Sequence, residues 1–219
     1  GIKDAVSVPN LSPITMKKYY LSALSEAEIK DLCQRPASDV AAVFPMIKTV
    51  MEDVKKNGDK AVRRYTEQFD GIKLEQMLVT QKEMRDAYIT VSPAFKAACA
   101  VAAANIEKFH RGQISETPVI ETTKGVRCWR EARPIEKVGL YIPGGTAPLP
   151  STVLMLGIPA KIAGCKEIIL CTPPQKDGSI PDSILFAAHQ CSIAKIFKVG
   201  GAQAIAAMAY GTKTIPKVD

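Results

Sequence analysis

The hydrophobic and polar positions of this chain follow two different patterns along its length. In the first half, apolar residues recur at steps of three and four, as they do on one face of an amphipathic helix. One such set is Val43, Ile47, Val50 and Val54. From Glu136 onward, short apolar runs alternate with helical stretches, an order that is typical of a parallel β-sheet covered by helices. We therefore predict a mainly helical region over residues 1–134, which contributes to a first α/β domain, and an α/β unit over residues 135–219.

Capping residues indicate where several of the helices begin. Ser25 with Glu28, and Thr80 with Glu83, have the spacing of capping boxes, in which the hydroxyl and the carboxylate each accept a hydrogen bond from a backbone N–H. Asp59 is expected to act as a further N-cap, because a short carboxylate side chain can accept from the free N–H groups of the first turn.

A longer helix is predicted to begin at Ser92-Pro93 and to end at Gly112, because proline loses no hydrogen bond at the first helical position. Its buried stripe is expected to consist of Phe95, Ala98, Ala102, Ile106 and Phe109.

The second half predicts three strands, each followed by a helix. The strands are expected at 137–142, 167–171 and 195–199, and their helices are expected to end at Ala163, Gln190 and Tyr210. Right-handed crossovers between these strands would give a parallel sheet with helices on both faces. A strand or hairpin is also expected near Val126–Trp129, and the segment after Thr214 is expected to lead into a further strand.

Two glycine pairs follow the first and third of these strands, at Gly144-Gly145 and Gly200-Gly201. Ligands of open parallel sheets bind beyond the carboxyl ends of the strands. Glycine allows the backbone to approach a bulky ligand, and the start of the next helix offers N–H groups to phosphate. If the strand order is 3-2-1, the two turns lie about 10 Å apart, within reach of one dinucleotide.

Two further side chains belong to this predicted site. Tyr141 can stack on a ring or hydrogen-bond a ribose, and the amide of Gln203 can bind a ribose or a nicotinamide. The alternative is that the glycines only form tight turns and that Tyr141 belongs to the core. Because neither turn has the Gly-x-Gly-x-x-Gly fingerprint, spacing alone leaves both interpretations open.

Composition excludes several classes of protein. The chain has 219 residues, of which 47% are hydrophobic and 23% charged, as in ordinary globular proteins. We expect no membrane partner, since no apolar run approaches the roughly 20 residues of a spanning helix. We expect no nucleic-acid partner either, since the net charge of +7 is spread along the chain. The six cysteines lack metal or disulfide spacing, which favours reduced thiols in the cytoplasm.

Candidates for metal binding and acid/base chemistry are few. His110 and His189 are the only histidines, and neither belongs to a set of convergent donors such as a zinc site needs. Glu131 and Glu136 are interpreted as surface charges. We therefore assign no metal ligand and no catalytic residue within this chain.

Several sequence strings resemble the histidinol dehydrogenase family in order and spacing. They are Val138–Gly145, Pro150–Met155, Ile158–Lys161, Thr172–Pro174 and Val199–Ala207, with Asn57–Asp59, Phe69–Gly71 and Ala104–Ile106 in the first half. The resemblance runs from roughly residue 40 to the end of the sequence, and it is dense from Arg133 onward.

The resemblance implies a cytoplasmic, zinc-containing homodimer of histidine biosynthesis. Such an enzyme oxidises L-histidinol through L-histidinal to L-histidine and uses two NAD in succession. The implied fold is an incomplete Rossmann-like parallel sheet with flanking helices, of aldehyde-dehydrogenase-like architecture, and residues 135–219 would be its NAD-binding unit. Tyr141 and Gln203 match NAD-contact positions of the family.

The resemblance also places a third NAD contact, the zinc ligands and a Glu-His acid/base pair beyond Asp219. We therefore expect the chain to be inactive alone. Two other interpretations stay open: an aldehyde-dehydrogenase-like lobe, which would need a reactive cysteine, and a non-enzymatic basic nucleotide-binding module, whose affinity would depend steeply on salt.

Overall fold

The computed structural model describes residues 17–34, 40–145 and 147–219, the side chain of Val40 excepted. These residues separate into two compact units, one that ends at Ala42 and one that covers Val43–Asp219. The first unit contains a short 3₁₀ helix, Leu21–Ala23, and helix α1, Glu26–Leu32. The expected division at residues 134 and 135 was drawn from the change of pattern, and it stays a prediction.

Helix α2 begins at the end of the first unit, and the remaining elements lie in the second. The helices are α2 (Val40–Asn57), α3 (Asp59–Asp70), α4 (Gln81–Thr90), α5 (Pro93–Arg111), α6 (Pro150–Ala163), α7 (Asp182–Gln190) and α8 (Gly201–Tyr210). The strands are β1 (Ile120–Thr123), β2 (Val126–Cys128), β3 (Lys137–Tyr141), β4 (Glu167–Thr172) and β5 (Lys195–Lys198). The predicted order of strands and helices after residue 135 is confirmed.

Most of the predicted helix caps are confirmed. The Ser25–Glu28 and Thr80–Glu83 capping boxes are both formed, with reciprocal side-chain to backbone hydrogen bonds. The Asp59 prediction is wrong, because Gly58 occupies the N-cap and Asp59 is the first helical residue. Its carboxylate instead accepts hydrogen bonds from the backbone N–H and the hydroxyl of Thr214, far along the chain.

The central sheet has three parallel strands in the order β3-β4-β5. This is the strand order that the predicted site required. The outer edge of β5 is covered by an extended segment, in which Val79 N donates to Ile196 O at 2.8 Å and Lys198 N donates to Met77 O at 2.7 Å. On the edge of β3, Asp219 N donates to Lys137 O at 3.0 Å.

Hydrophobic layers cover both faces of the sheet. Side chains alternate along β4, so that Leu170 faces the layer of α4, α5, α6 and α7, whereas Ile169 and Cys171 face the layer of α2, α3 and α8. All three β4 side chains are fully buried. A parallel strand that is buried on both faces explains why β4 reads as a continuous apolar run and not as an alternating one.

The predicted buried stripes are right in direction but too long. On α2, Val50 and Val54 are buried, whereas Val43 is 41% exposed and Ile47 is 38% exposed. Helical periodicity identifies the apolar face, but it does not show how much of the helix the rest of the fold covers.

On α5, the stripe is shifted as well as shortened. Cys99 is the residue that becomes buried, Ala102 and Ile106 pack against the core, and Ala98 is exposed. Phe109 is 67% exposed, near the end of the helix. The alanine-rich sequence of α5 offers several nearly equivalent faces, and contact with α6 selects among them.

The predicted hairpin near residue 126 is confirmed as the antiparallel pair β1 and β2. Both of its strands are exposed along their whole length.

Among the described residues, no single helix is both long and apolar enough to cross a membrane. Helices α4 and α5, which are bent by 104° relative to each other, have the length and apolar composition of a membrane span only when they are counted together. No other property of the pair indicates a membrane.

Close packing of α6 against the turn after α7 gives a test of the fold. A Cβ atom on Gly157 would lie 2.7 Å from Cys191 Sγ and 2.8 Å from Cys191 Cβ. We expect Gly157→Ala to lower the free energy of unfolding by about 1–3 kcal/mol, because overpacking outweighs the better helix propensity of alanine. Chemical denaturation measures this change. Ser151→Ala, at an exposed position of the same helix, is the control and should not destabilise; an equally stable Gly157→Ala would contradict the packing.

Candidate functional site

The turns that follow the three parallel strands meet at one edge of the sheet. Pro173 follows the central strand β4 and lies between the two glycine turns. A Cβ atom on Gly144 would lie 2.5 Å from Pro173 Cγ, and one on Gly200 would lie 2.6 Å from Pro173 Cβ and 3.2 Å from Pro173 Cα. The structure therefore brings the two glycine pairs together on either side of one proline.

The four glycines differ in whether their surroundings and backbone conformation would permit a side chain. Gly144 and Gly200 are required by the contact with Pro173, whose ring cannot yield as a flexible side chain could. Gly201 has φ +60°, a left-handed conformation that side chains disfavour. Gly145 has no atom within 4 Å of the place where a Cβ would be. Close packing against Pro173 and backbone conformation thus account for three of them without a ligand, and Gly145 is the one with open space around it.

Tyr141, the last residue of β3, connects the first turn to the third. Its hydroxyl oxygen accepts a hydrogen bond from Gly201 N at 3.0 Å, and its ring is only half-buried. This bond fixes the phenol oxygen and occupies one of the first N–H groups of α8. The hydroxyl proton remains available to an acceptor in front of the turns.

Gln203 lies behind the surface that the turns form, and its side chain is not part of that surface. The side chain is fully buried, and a Cβ on Gly201 would meet Gln203 Oε1 at 2.5 Å. Neither Oε1 nor Nε2 has a hydrogen-bond partner among the described residues. An unsatisfied buried polar group costs about 1–3 kcal/mol, so this amide is not explained by the stability of the fold.

A cleft of about 450 Å³ opens in front of the strand ends. Tyr141, Gly144, Gly145 and Gly201 line it, together with Asp70. The remaining lining residues are neutral: Pro143, Ala147, Pro148, Leu149, Thr172, Pro173, Pro174, Gln175, Pro181 and Ile184. Four of the six predicted site residues therefore share one cleft; Gly200 lies behind Pro173, and Gln203 lies behind Gly201.

Asp70 is the one charged residue among the described residues that line the cleft, and it was not among the six predicted site residues. It is the last residue of α3, and its Oδ2 atom is buried without a hydrogen-bond partner in the described part of the chain. Burial raises the pKa of its carboxyl group above the ordinary value. A signal was present in the sequence, because a carboxylate at a helix carboxyl terminus is opposed by the helix dipole and suggests some other role.

The cysteines offer no nucleophile at this cleft. All six are free thiols, and Cys171, the one nearest the strand ends, is buried, which raises its pKa to about 12. Burial also raises the pKa of Cys191 to about 11. A nucleophilic cysteine needs the opposite shift, so these two thiols do not support the aldehyde-dehydrogenase-like alternative.

The two histidines take structural positions. The Nδ1 atom of His110 lies 2.7 Å from Gln113 Oε1, and the ring of His189 packs on Tyr88 with a centroid distance of 5.2 Å. Over the ranges that the structure describes, no three His, Cys, Asp or Glu side chains are grouped so that they could hold a metal ion.

A larger cavity, of about 610 Å³, lies between α4 and the turn after α7. Its walls are mostly apolar, with Met84, Tyr88 and Ile193 among them, and it contains none of the six predicted site residues. It opens near the amino end of β5, whereas ligands of parallel sheets bind at the carboxyl ends of the strands. Position, and not size, therefore selects the smaller cleft as the candidate site.

The fold and the cleft together define the class of this protein: an α/β protein with a parallel sheet, covered by helices on both faces, whose candidate site lies at the carboxyl ends of the strands. Within that class, the family model described as histidinol dehydrogenase matches residues 33–219. The chain belongs to the histidinol dehydrogenase family.

Individual relatives agree in sequence and in structure. The chain is 52% identical over 194 residues to a histidinol dehydrogenase of Bacteroides thetaiotaomicron, which covers 89% of this chain and 45% of that protein. It is 47% identical over 205 residues to the chloroplastic histidinol dehydrogenase of Arabidopsis thaliana, covering 94% of this chain and 44% of the relative.

The crystal structure of histidinol dehydrogenase from Elizabethkingia anophelis matches with a TM-score of 0.84 and 50% sequence identity, over 90% of this chain and 45% of that one. The chain thus spans about half the length of the relatives it matches.

The different roles of the glycines can be tested by adding one methyl group at a time. We expect Gly200→Ala to lower the free energy of unfolding by about 1–3 kcal/mol, because the new Cβ overlaps Pro173. Gly145→Ala is the matched control and should unfold like the parent protein, since its Cβ enters open space. Thermal and chemical unfolding of the two variants measure the difference, and equal stability of both would mean that Pro173 does not separate the turns.

Proposed function

We propose that the whole protein to which this chain belongs is an NAD- and zinc-dependent histidinol dehydrogenase. It would oxidise L-histidinol through L-histidinal to L-histidine in histidine biosynthesis. Membership of the family supports the reaction, and the cleft at the strand ends supports a cofactor-binding role for the residues described. The proposal includes a cytoplasmic homodimer and an incomplete Rossmann-like sheet, as the family resemblance implies.

The single observation that carries the cofactor assignment is the convergence of Tyr141, Gly145 and Gly201 on one cleft. This is where an open parallel sheet binds nucleotides. A cleft of about 450 Å³ is within the usual range for cofactor and small-molecule sites, and it would receive part of a dinucleotide.

The residues of the cleft would hold NAD through three kinds of contact. Tyr141 would donate its hydroxyl proton to a ribose or phosphate oxygen, since its oxygen is already positioned by Gly201 N. The open space at Gly145 would allow close contact with the backbone. The prolines of the turns would exclude water from the edge of the bound molecule. When bound, NAD supplies the acceptor for the hydride that leaves the alcohol carbon.

Gln203 would contribute from the layer behind. Its two unsatisfied amide atoms, one a donor and one an acceptor, could be satisfied by a ligand contact after rotation of the side chain. The predicted contact of this amide with NAD is compatible with its buried position, because Gly201 is the residue that separates Gln203 from the cleft.

The described residues provide binding and not proton transfer. Apart from the Asp70 carboxylate and the Tyr141 phenol, no described side chain that lines the cleft carries an acidic or basic group. Zinc does not fit here either, because no suitable cluster exists in the described ranges. In this proposal, the metal ligands and the acid/base pair belong to the part of the family architecture that this chain does not span.

The proposal predicts a clear division of activity. The full-length protein, supplied with zinc, should form NADH when L-histidinol is added, as measured by absorbance at the nicotinamide band. The 219-residue chain at the same concentration should form none. Turnover by the chain alone would mean that the described residues contain a complete catalytic site, contrary to the proposal.

A second prediction concerns Tyr141 in the full-length protein. Tyr141→Phe should raise the Kd of NAD about tenfold, because a hydrogen bond of about 1.4 kcal/mol is lost and the position of the turn is loosened. The KM of histidinol should remain close to that of the parent protein. Tyr88→Phe, which removes a hydroxyl in the other cavity, is the control, and calorimetry of NAD binding compares the two. An unchanged Kd in Tyr141→Phe would remove Tyr141 from the site.

A further inference from the structure

Asp70 is a carboxylate that the fold positions but does not satisfy. It ends α3 and lines the same cleft as Tyr141 and Gly201, and its buried Oδ2 has no donor among the described residues. Since an ionised carboxylate has acceptor sites on both oxygens, leaving one of them buried and unbonded is costly.

The two arginines of α3 are engaged elsewhere, whereas Lys73, three residues after Asp70, is exposed and forms no salt bridge with a described residue. On the same helix, Arg63 donates to the backbone oxygens of Leu74 and Glu75, and Arg64 pairs with Asp53. Asp70 forms no salt bridge with any residue that the structure describes. The orphan oxygen is therefore not part of an ion pair that holds α3 in place.

One structural explanation lies on the preceding turn of α3. Thr66 is four residues earlier, on the same side of the helix, and its buried Oγ1 is also without a partner within the described ranges. A rotation of either side chain could join the two groups. This explanation involves no ligand, and it predicts that Thr66→Val and Asp70→Asn have equal effects.

We propose that Asp70 is a cofactor-binding residue and that its carboxylate accepts a hydrogen bond from a ribose hydroxyl of NAD. This inference rests on the proposed function and goes beyond it by naming the group that recognises the sugar. A carboxylate repels phosphate, so the pyrophosphate belongs at the neutral turns, near Gly145 and the start of α8. Hydroxyl groups are the donors that a dinucleotide presents in greatest number, and carboxylates accept from them strongly.

The contact also bears on which dinucleotide is used. If Asp70 accepts from the adenosine ribose, a 2′-phosphate at that position would meet a negative charge in a partly buried site, and NADP would be rejected. If it accepts from the nicotinamide ribose, the 2′-phosphate lies elsewhere and the preference does not depend on Asp70. Both versions are the same chemistry, a ribose hydroxyl donating to a carboxylate.

The test is Asp70→Asn in the full-length protein, with NAD and NADP as the probes. We expect the Kd of NAD to rise about ten- to a hundredfold, because a hydrogen bond to a charged acceptor is replaced by a weaker neutral one. The KM of histidinol should stay unchanged. If the ratio of the Kd of NADP to the Kd of NAD falls in the variant, Asp70 contacts the adenosine ribose. If this ratio is unchanged, Asp70 contacts the nicotinamide ribose.

The melting temperature of the variant distinguishes a role of Asp70 in binding from a role in the stability of the fold. Burial disfavours the charged form of Asp70, so the fold loses stability as the pH rises through the raised pKa of this carboxyl. The neutral variant Asp70→Asn should therefore keep or raise the melting temperature of the unliganded protein at pH 7. A fall in melting temperature together with a loss of histidinol binding would assign a structural role and overturn the inference.

Two control variants complete the design. Thr66→Val should leave the Kd of NAD unchanged, and an equal loss in Thr66→Val and Asp70→Asn would instead assign Asp70 to a contact inside α3. Asp86→Asn removes an exposed carboxylate on α4 and should have no effect.

Tyr141→Phe distinguishes failure of the Asp70 contact from failure of the NAD site as a whole. If it weakens NAD binding while Asp70→Asn changes the Kd by less than about twofold, the ribose contact is wrong and the proposed site stands. If neither variant weakens binding, NAD does not occupy this cleft and both fail.

Discussion

Pro173 lies between Gly144 and Gly200, and this contact sets the distance between the turns that leave β3 and β5. The proline follows the central strand, so a rigid ring occupies the middle of the site, and each neighbouring turn must present a residue without a side chain to it. Tyr141 then reaches across and accepts a hydrogen bond from Gly201 N. The position of the cleft in front of the three strand ends follows from this arrangement.

Polar groups that the stability of the fold does not explain lie in the cleft and directly behind it. Asp70 and Gln203 together leave three buried side-chain atoms without partners among the described residues. Each such group costs about 1–3 kcal/mol, which is a considerable part of the net stability of a domain. Both residues lie beside one cleft, and the proposed binding of a ligand there would supply partners that the fold does not.

The distribution of chemistry over the structure is consistent with a binding role for this part of the family architecture. Burial raises the pKa of the Cys171 and Cys191 thiols, and the histidines pack against neighbouring side chains. The family relatives are about twice as long as the region matched. In the proposed whole protein, a cofactor cleft on one half and acid/base groups on the other would bring the hydride acceptor and the proton acceptor to the substrate from different sides.

The sequence by itself determined the elements and their order. Interactions between residues a few positions apart are visible in a linear sequence. They include the helix caps at Thr80 and Ser92 and the apolar runs that form β3, β4 and β5. The sequence also indicated Tyr141 and the glycine turns, since glycine after a strand marks a place where the backbone needs room.

Tertiary structure decided which of these features meet, because that depends on contacts between residues far apart in the chain. It made Asp59 a partner of Thr214 and not a helix cap, buried the Gln203 side chain behind Gly201, and packed Gly144 and Gly200 against Pro173. It also brought Asp70, about seventy residues before Tyr141, into the same cleft. Burial and a missing partner are properties of a residue's surroundings in three dimensions, and no local pattern of sequence records them.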